Sequence, residues 1–143
     1  KEGASVTSLR KCAVQSRFVT MPTESLILIP EKLDEGEAAA IVSIYLPAFG
    51  ALHHGSKLRD NRFSQEALKG QHILVTGGGT DEADAVVKVA LLGGASKIFV
   101  LNSKNAMASY HVGSAKVVLL SDEPDEWQAR LDGCVDLAVD LEY

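Results

Sequence analysis

Four short apolar runs in the second half of the chain constrain its fold more than any other feature. The runs span residues 72–76, 97–101, 116–120 and 135–139. Helix-like segments separate them, and the clearest extends from Asp81 to Leu92 and ends at Gly93-Gly94. Strands that are apolar along their whole length are typical of parallel sheets with helices on both faces. Because crossovers between parallel strands are right-handed, the pattern predicts a Rossmann-like, doubly wound α/β sheet of about four strands.

The first thirty residues have a different pattern. Two β-prone runs, 15–20 and 25–29, are separated by Met21-Pro22-Thr23, and Pro30 ends the second run. Short runs of this kind, bounded by proline, are typical of strands. The sequence therefore predicts a short β-rich segment before the α/β part.

A helix is expected directly after this segment. Asp34 is a favourable N-cap residue, and Glu37 three positions later completes a capping box. The residues that follow are apolar nearly all round the helix, so we expect the helix to be buried. Pro47 is expected to kink it or to end its first half.

Composition and charge exclude several classes of protein. The chain has 143 residues, 46% of them hydrophobic, and a net charge of −5, so it is neither disordered nor a basic nucleic-acid binder. The first residues carry no secretory signal, and the apolar stretch 38–52 is too short to span a bilayer. Cys12 and Cys134 lack metal-ligand spacing and are interpreted as two buried thiols in a reducing compartment. These features predict a cytoplasmic protein that binds neither nucleic acid nor membrane.

The triple glycine Gly77-Gly78-Gly79 is the strongest candidate for a binding site. It follows an apolar run and precedes a helix, where backbone N–H groups and the positive helix end favour a pyrophosphate. The full G-x-G-x-x-G spacing is absent, because Glu82 or Ala83 stands at the last glycine, depending on the starting residue. Asp81 and Glu82 suit the helix dipole but repel a diphosphate. A glycine turn that only connects a strand to a helix is the alternative interpretation.

The end of the second apolar run is the other diagnostic position. NAD-binding sheets place a carboxylate there for the ribose hydroxyls, whereas this chain has Asn102-Ser103-Lys104. A serine and a lysine can hold a 2′-phosphate, which favours NADPH; a solvated polar loop is the alternative. The candidate cofactor-binding residues are Gly77, Gly78, Gly79, Thr80, Asn102, Ser103 and Lys104.

No metal site is predicted. His53 and His54 are adjacent near a helix end, so their side chains point about 100° apart and do not converge on one ion. An interaction with the carbonyl end of the helix explains them better.

Several motifs occur in an order that resembles a known family. They are Phe18-Val19-Thr20-Met21-Pro22, Leu28-Ile29-Pro30-Glu31, Glu35-Gly36-Glu37-Ala38-Ala39-Ala40, Tyr45-Leu46-Pro47-Ala48-Phe49, Ile73-Leu74-Val75-Thr76-Gly77, Gly94-Ala95-Ser96-Lys97-Ile98, Gly113-Ser114-Ala115 and Gly133-Cys134-Val135-Asp136. From about Phe18 to Asp140 the chain resembles the medium-chain dehydrogenases/reductases. Within them it is most similar to the zinc-independent, quinone-oxidoreductase-like branch, which includes enoyl reductases.

The resemblance implies both an organisation and an activity. Residues 1–30 would be a β-rich remnant of a barrel-like catalytic domain, and residues 31–143 a C-terminally incomplete Rossmann-like domain. The activity implied is NADPH-dependent hydride transfer to a quinone or an activated double bond of a small molecule. The catalytic residues are unknown, with Tyr45 a weak candidate proton donor whose alternative role is core packing. Pro47 departs from the family, which usually has a threonine there.

Two other functions remain open from the sequence. The fold could serve as a non-catalytic structural or interaction domain that has lost its pyrophosphate site. It could also belong to a Rossmann-like methyltransferase, although the segment before Asp34 favours the oxidoreductases.

The last apolar run, from Val135 to Val139, is expected to form an exposed sheet edge. An unpaired apolar edge invites pairing, so we expect self-association or coverage by the remainder of a longer chain. Asp136 and Asp140 are interpreted as solvated strand ends.

Overall fold

The computed structural model describes residues 3–8, 18–55, 66–102, 116–121, 123–131 and 133–141. Contacts divide the chain into a first unit, Lys1–Pro47, and a second unit, Ala48–Tyr143. Cys12, Ser103, Lys104, most of the charged stretch 55–70 and the weak helix expected at 105–111 lie outside the described residues. Among the described helices, none has the length and apolarity needed to cross a membrane.

The elements are β1 (Val6–Ser8), β2 (Leu26–Leu28), α1 (Glu35–Ala40), a π-helical turn (Ile41–Tyr45), α2 (Leu46–Gly55), β3 (His72–Val75), α3 (Asp81–Leu92), β4 (Lys97–Asn102), β5 (Val117–Ser121), α4 (Pro124–Leu131) and β6 (Leu137–Val139).

The first unit contains a two-stranded antiparallel sheet. Strand β2 pairs with β1, with Val6 opposite Leu28, and the Ile29 N–H donates to the Ser5 carbonyl (3.0 Å). The predicted strand at 25–29 is thus confirmed at its centre, and its partner β1 was not predicted. In the other predicted run, 15–20, the described residues 18–20 are irregular, and Phe18 is 88% exposed.

Helix α1 begins at the predicted capping box. The Glu37 N–H donates to Asp34 Oδ1 (2.8 Å), and the Asp34 N–H donates to Glu37 Oε2 (3.1 Å). The expectation of a fully buried helix is wrong, because Ala38 is buried but Ile41 is 45% exposed. Among the described residues, the first unit offers α1 only a short two-stranded sheet, which cannot cover every side of a helix.

Pro47 does not end the helical segment, which continues to Gly55. Proline lacks an N–H group, and its ring clashes with the carbonyl four residues earlier, here that of Ser43. The π-helical turn Ile41–Tyr45 ends two residues before Pro47 and is wider than an α-helical turn. This turn accommodates the proline while the chain stays helical.

The second unit contains a four-stranded parallel sheet in the order β5-β4-β3-β6. Ile73 pairs with Ile98 on one side and with Leu137 on the other. Numbered along the sheet's own chain order, this is the 3-2-1-4 arrangement of a doubly wound fold. The predicted Rossmann-like α/β class is confirmed.

Helices cover both faces of this sheet. Phe99 and Leu101 of β4 form one core cluster with Leu131 of α4, against which Trp127 packs. The alternate residues of β4 point to the opposite face, and Ile98 and Val100 are fully buried there. Helix α3 buries six of its residues: Ala83, Ala85, Val86, Val87, Val89 and Ala90.

The turn before β6 differs from the prediction. The strand begins at Leu137 rather than Val135, because the chain turns at Gly133 (φ 66°) and the Cys134 N–H donates to the Leu131 carbonyl (2.9 Å). Cys134 is exposed at this turn, so its interpretation as a buried thiol is wrong.

Candidate functional site

The glycine loop lies at the switch point of the sheet. From β3 the chain proceeds to β4 and β5 on one side and later returns to β6 on the other. In open α/β sheets, ligands bind outside the carboxyl ends of the strands where the order reverses. Residues 77–80 follow the carboxyl end of β3 directly and lead into α3. The predicted loop therefore occupies the position where this fold binds ligands.

Each of the three glycines has its own structural reason. Gly77 and Gly79 have φ values of 68° and 92°, a region that favours glycine. Gly78 has an ordinary φ, but a Cβ there would lie 2.8 Å from the Leu101 carbonyl oxygen and 2.8 Å from Val100 Cγ1. The Gly78 N–H donates to that same carbonyl (2.9 Å). The loop is thereby held against the end of β4.

Thr80 fixes the junction between the loop and α3. Its Oγ1 accepts from the Ala83 N–H (3.2 Å) and donates to the Gly77 carbonyl (3.1 Å). The hydroxyl caps the helix and leaves the other N–H groups of the first turn for a ligand. Thr80 thus has a structural role in addition to its predicted place among the cofactor-binding residues.

The first turn of α3 is acidic. Asp81 and Glu82 are exposed, and Asp84 forms an ion pair with Lys88. Carboxylates in the first turn compensate the positive end of the helix dipole. They lower the attraction of this helix end for a phosphate.

Asn102 is buried at the end of β4. It is 2% exposed, and within the described part of the chain neither Oδ1 nor Nδ2 has a hydrogen-bond partner. Its Cβ lies 3.0 Å from where a Cβ on Gly78 would be. The structure therefore brings the predicted residues Asn102 and Gly78 together, and it places Asn102 within the strand. Ser103 and Lys104 lie outside the described residues.

The sequence did not predict the role of Thr76. Its Oγ1 donates to Asp140 Oδ1 and accepts from the Leu141 N–H (3.1 Å), and its own N–H donates to the Val139 carbonyl (3.0 Å). These bonds join the carboxyl ends of β3 and β6 on the side of the loop opposite β4.

The amino ends of the same two strands are joined in a similar way. The His72 N–H donates to Asp136 Oδ2 (2.8 Å), and the Asp136 N–H donates to the His72 carbonyl (2.9 Å). Asp136 and Asp140 are exposed, as expected of strand ends, but each also bonds to a residue about 64 positions earlier. The signal in the sequence is a shared spacing: His72, which begins β3, and Thr76, which directly follows it, are four residues apart, and so are Asp136 and Asp140, which flank β6.

Tyr45 belongs to the π-helical turn and is half-buried. It lies in the first unit, whereas the glycine loop lies in the second. Its role as a proton donor stays a prediction.

His53 is buried in α2. Its Nδ1 is 2.9 Å from the Phe49 carbonyl oxygen, and its ring stacks on the Phe49 ring with centroids 3.7 Å apart. Phe49 lies in the first half of α2, so this contact does not test the predicted interaction of the two histidines with the carbonyl end of the helix. In the described ranges, no group of three or more His, Cys, Asp or Glu residues is placed to hold a metal ion.

Comparison with known proteins finds distant likeness among solved structures. No protein-family model matches the chain, and no curated protein matches it. Among solved structures, it is similar to a crystal structure of an NAD-dependent alcohol dehydrogenase, with 19% sequence identity and a TM-score of 0.45 over 86% of this chain. The chain spans only 27% of the length of that protein. The fold class therefore rests on the strand order and registers of the sheet itself.

Proposed function

We propose that this chain is the nucleotide-binding portion of an NADPH-dependent, zinc-independent oxidoreductase of the quinone or enoyl reductase type. The observation that carries the proposal is the three-glycine loop at the carboxyl end of β3. It lies at the switch point of a 3-2-1-4 sheet and leads into a helix N-terminus. This is the place where doubly wound sheets bind dinucleotides.

The residues present fit such a cofactor in two respects. Gly79 is exposed with φ 92°, so the pyrophosphate can approach its backbone and the free N–H groups of α3. Among the described residues, neither the donor nor the acceptor side of the Asn102 amide has a hydrogen-bond partner, which suits ribose hydroxyls. A buried polar group without a hydrogen-bond partner costs about 1–3 kcal/mol. A hydrogen bond from the ligand removes this cost, and the gain offsets the energy needed to move the atoms that cover Asn102. Ser103 and Lys104 would hold the 2′-phosphate.

The chemistry implied is a hydride transfer. A nicotinamide cofactor held at this loop would supply a hydride for a quinone or for an activated double bond of a small molecule. The residues of this chain bind and orient the cofactor through the loop and the end of β4. Tyr45 is the candidate proton donor.

Titration of the chain with NADPH and NADH, followed by nucleotide fluorescence, tests the proposal. We expect saturable NADPH binding that Lys104→Ala weakens about tenfold, since one charge-assisted phosphate contact is lost. Lys97→Ala is the matched control, because it removes an exposed lysine from the amino end of β4, away from the loop. Absence of binding at millimolar cofactor would overturn the proposal.

A second function is favoured by the acidic first turn of α3. Asp81 and Glu82 are exposed at the helix end where a diphosphate would bind. A non-catalytic Rossmann-like domain that has lost its pyrophosphate site would have such a turn. In that case Thr80→Gly combined with Asp81→Gly and Glu82→Val should create cofactor affinity that the natural chain lacks. Tight NADPH binding by the natural chain would refute this second function.

A further inference from the structure

Two hydrogen bonds converge on the Thr76 hydroxyl, and their directions are set by chemistry. A hydroxyl has a single proton, which Thr76 donates to the Asp140 carboxylate. Its lone pair is then available for the Leu141 N–H, which lies 3.1 Å away. A carboxylate can only accept, so the direction of donation is fixed: the Leu141 N–H donates to Thr76, and the Thr76 hydroxyl donates to Asp140.

Leu141, whose N–H bonds to the Thr76 hydroxyl, lies next to the first glycine of the loop. A Cβ on Gly77 would lie 3.2 Å from Leu141 Cβ and 3.3 Å from the Leu141 carbonyl carbon and oxygen. The backbone of Leu141 therefore forms one wall against Gly77. On the other side, the Gly78 N–H is bound to the Leu101 carbonyl. The loop is held between β4 and the segment that follows β6.

We propose that Asp140 is a positioning residue for the dinucleotide, acting through Thr76 and Leu141 on Gly77 without contacting the ligand. This inference rests on the proposed function, because the loop is the part that would bind the pyrophosphate. Small displacements of a preorganised site lower affinity even when every contacting residue is present.

The experiment compares dinucleotide affinities of Thr76 and Asp140 variants by fluorescence titration with NADPH. Thr76→Val keeps the shape of the side chain and removes both hydrogen bonds, and Asp140→Ala removes the acceptor. We expect each to weaken binding about tenfold and the double variant to bind no more weakly than either, because the two residues act as one unit. Thr76→Ser and Asp140→Asn keep the donor and the acceptor and should restore most of the affinity.

Asp136→Ala is the matched control for stability. It removes a carboxylate that also accepts a hydrogen bond from β3, but at the amino end, away from the loop. We expect it to lower the urea midpoint, followed by Trp127 fluorescence, about as much as Asp140→Ala while leaving NADPH affinity unchanged.

The outcomes separate this inference from the function on which it rests. If the natural chain binds no NADPH, the proposed function fails, and the inference fails with it. If the natural chain binds but Asp140→Ala binds equally well, or Asp136→Ala and Asp140→Ala weaken binding alike, the positioning role alone is overturned.

Discussion

Replacement of Gly78 by alanine tests how tightly the glycine loop is held against β4. Gly78 does not have a positive φ, so its backbone conformation is open to any residue. A Gly→Ala change at such a position ordinarily stabilises a protein by about 0.4–1 kcal/mol, because the unfolded chain loses entropy. The structure predicts the opposite sign. The added Cβ would lie 2.8 Å from the Leu101 carbonyl oxygen, an atom of a central strand that cannot move aside easily.

The expected loss follows from two terms. Overpacking a tight site costs about 1–3 kcal/mol. Weakening the hydrogen bond from the Gly78 N–H to Leu101, now 2.9 Å long, costs about 1 kcal/mol more. We therefore expect a loss of about 2–4 kcal/mol in unfolding free energy. For a chain of 143 residues this lowers Tm by about 6–15 °C.

Urea unfolding followed by tryptophan fluorescence measures this loss. Trp127, the single tryptophan, packs against the core cluster of the second unit and so reports on its unfolding. Gly133→Ala is the matched control, since a Cβ there meets nothing within 4 Å and only the positive φ of 66° is strained, at about 1–2 kcal/mol. A Gly78→Ala chain as stable as the natural one would refute the reasoning.

Three further changes have defined outcomes. Asn102→Leu removes two buried polar atoms that have no hydrogen-bond partner in the part of the chain that the structure describes. We therefore expect the free energy of unfolding to rise by about 1–2 kcal/mol and NADPH affinity to fall; a less stable variant would contradict the first part. Asp34→Ala deletes the acceptor of the Glu37 N–H and should lower the stability of α1 by about 1 kcal/mol. Hydrogen exchange should then be faster at the Glu37 amide, and unchanged protection of that amide would contradict the prediction. Ala138→Lys adds a charge at the exposed residue of β6, the last strand in the order of the four-stranded sheet. If that edge self-associates as predicted, sedimentation velocity should show dimer for the natural chain and monomer for the variant, and equal association of both would count against the edge.

The elements of the second unit were predictable because their signals are local. Strand β4 is buried on both faces from Ile98 onward and β3 is at least half-buried along its length, so each contains a run of apolar residues. Helix α3 is bounded by a threonine cap and two glycines. The capping box of α1 is equally local, since Asp34 and Glu37 bond only to each other's backbone and side chain.

The remaining features depend on partners distant in the chain. Asp140 looks like any polar strand end until β6 is placed beside β3, where Thr76 becomes its donor. Asn102 follows an apolar run and has a loop-like composition around it, yet pairing with β5 extends the strand through it. How much of α1 is buried depends on which other elements of its unit pack against it, and the pattern of apolar residues within the helix does not show this.

The strand order also has a consequence for how the second unit folds. Strand β3 meets β4 after a separation of 25 residues (His72 with Lys97), whereas it meets β6 after 64 residues (Ile73 with Leu137). The longer closure costs about 0.8 kcal/mol more in chain entropy, and β6 offers only three residues in return. We expect β6 to dock late, after β3, β4 and β5 have formed. The ligand crevice therefore exists only once the slowest pairing is complete, so a bound dinucleotide would stabilise the last step of folding rather than the first.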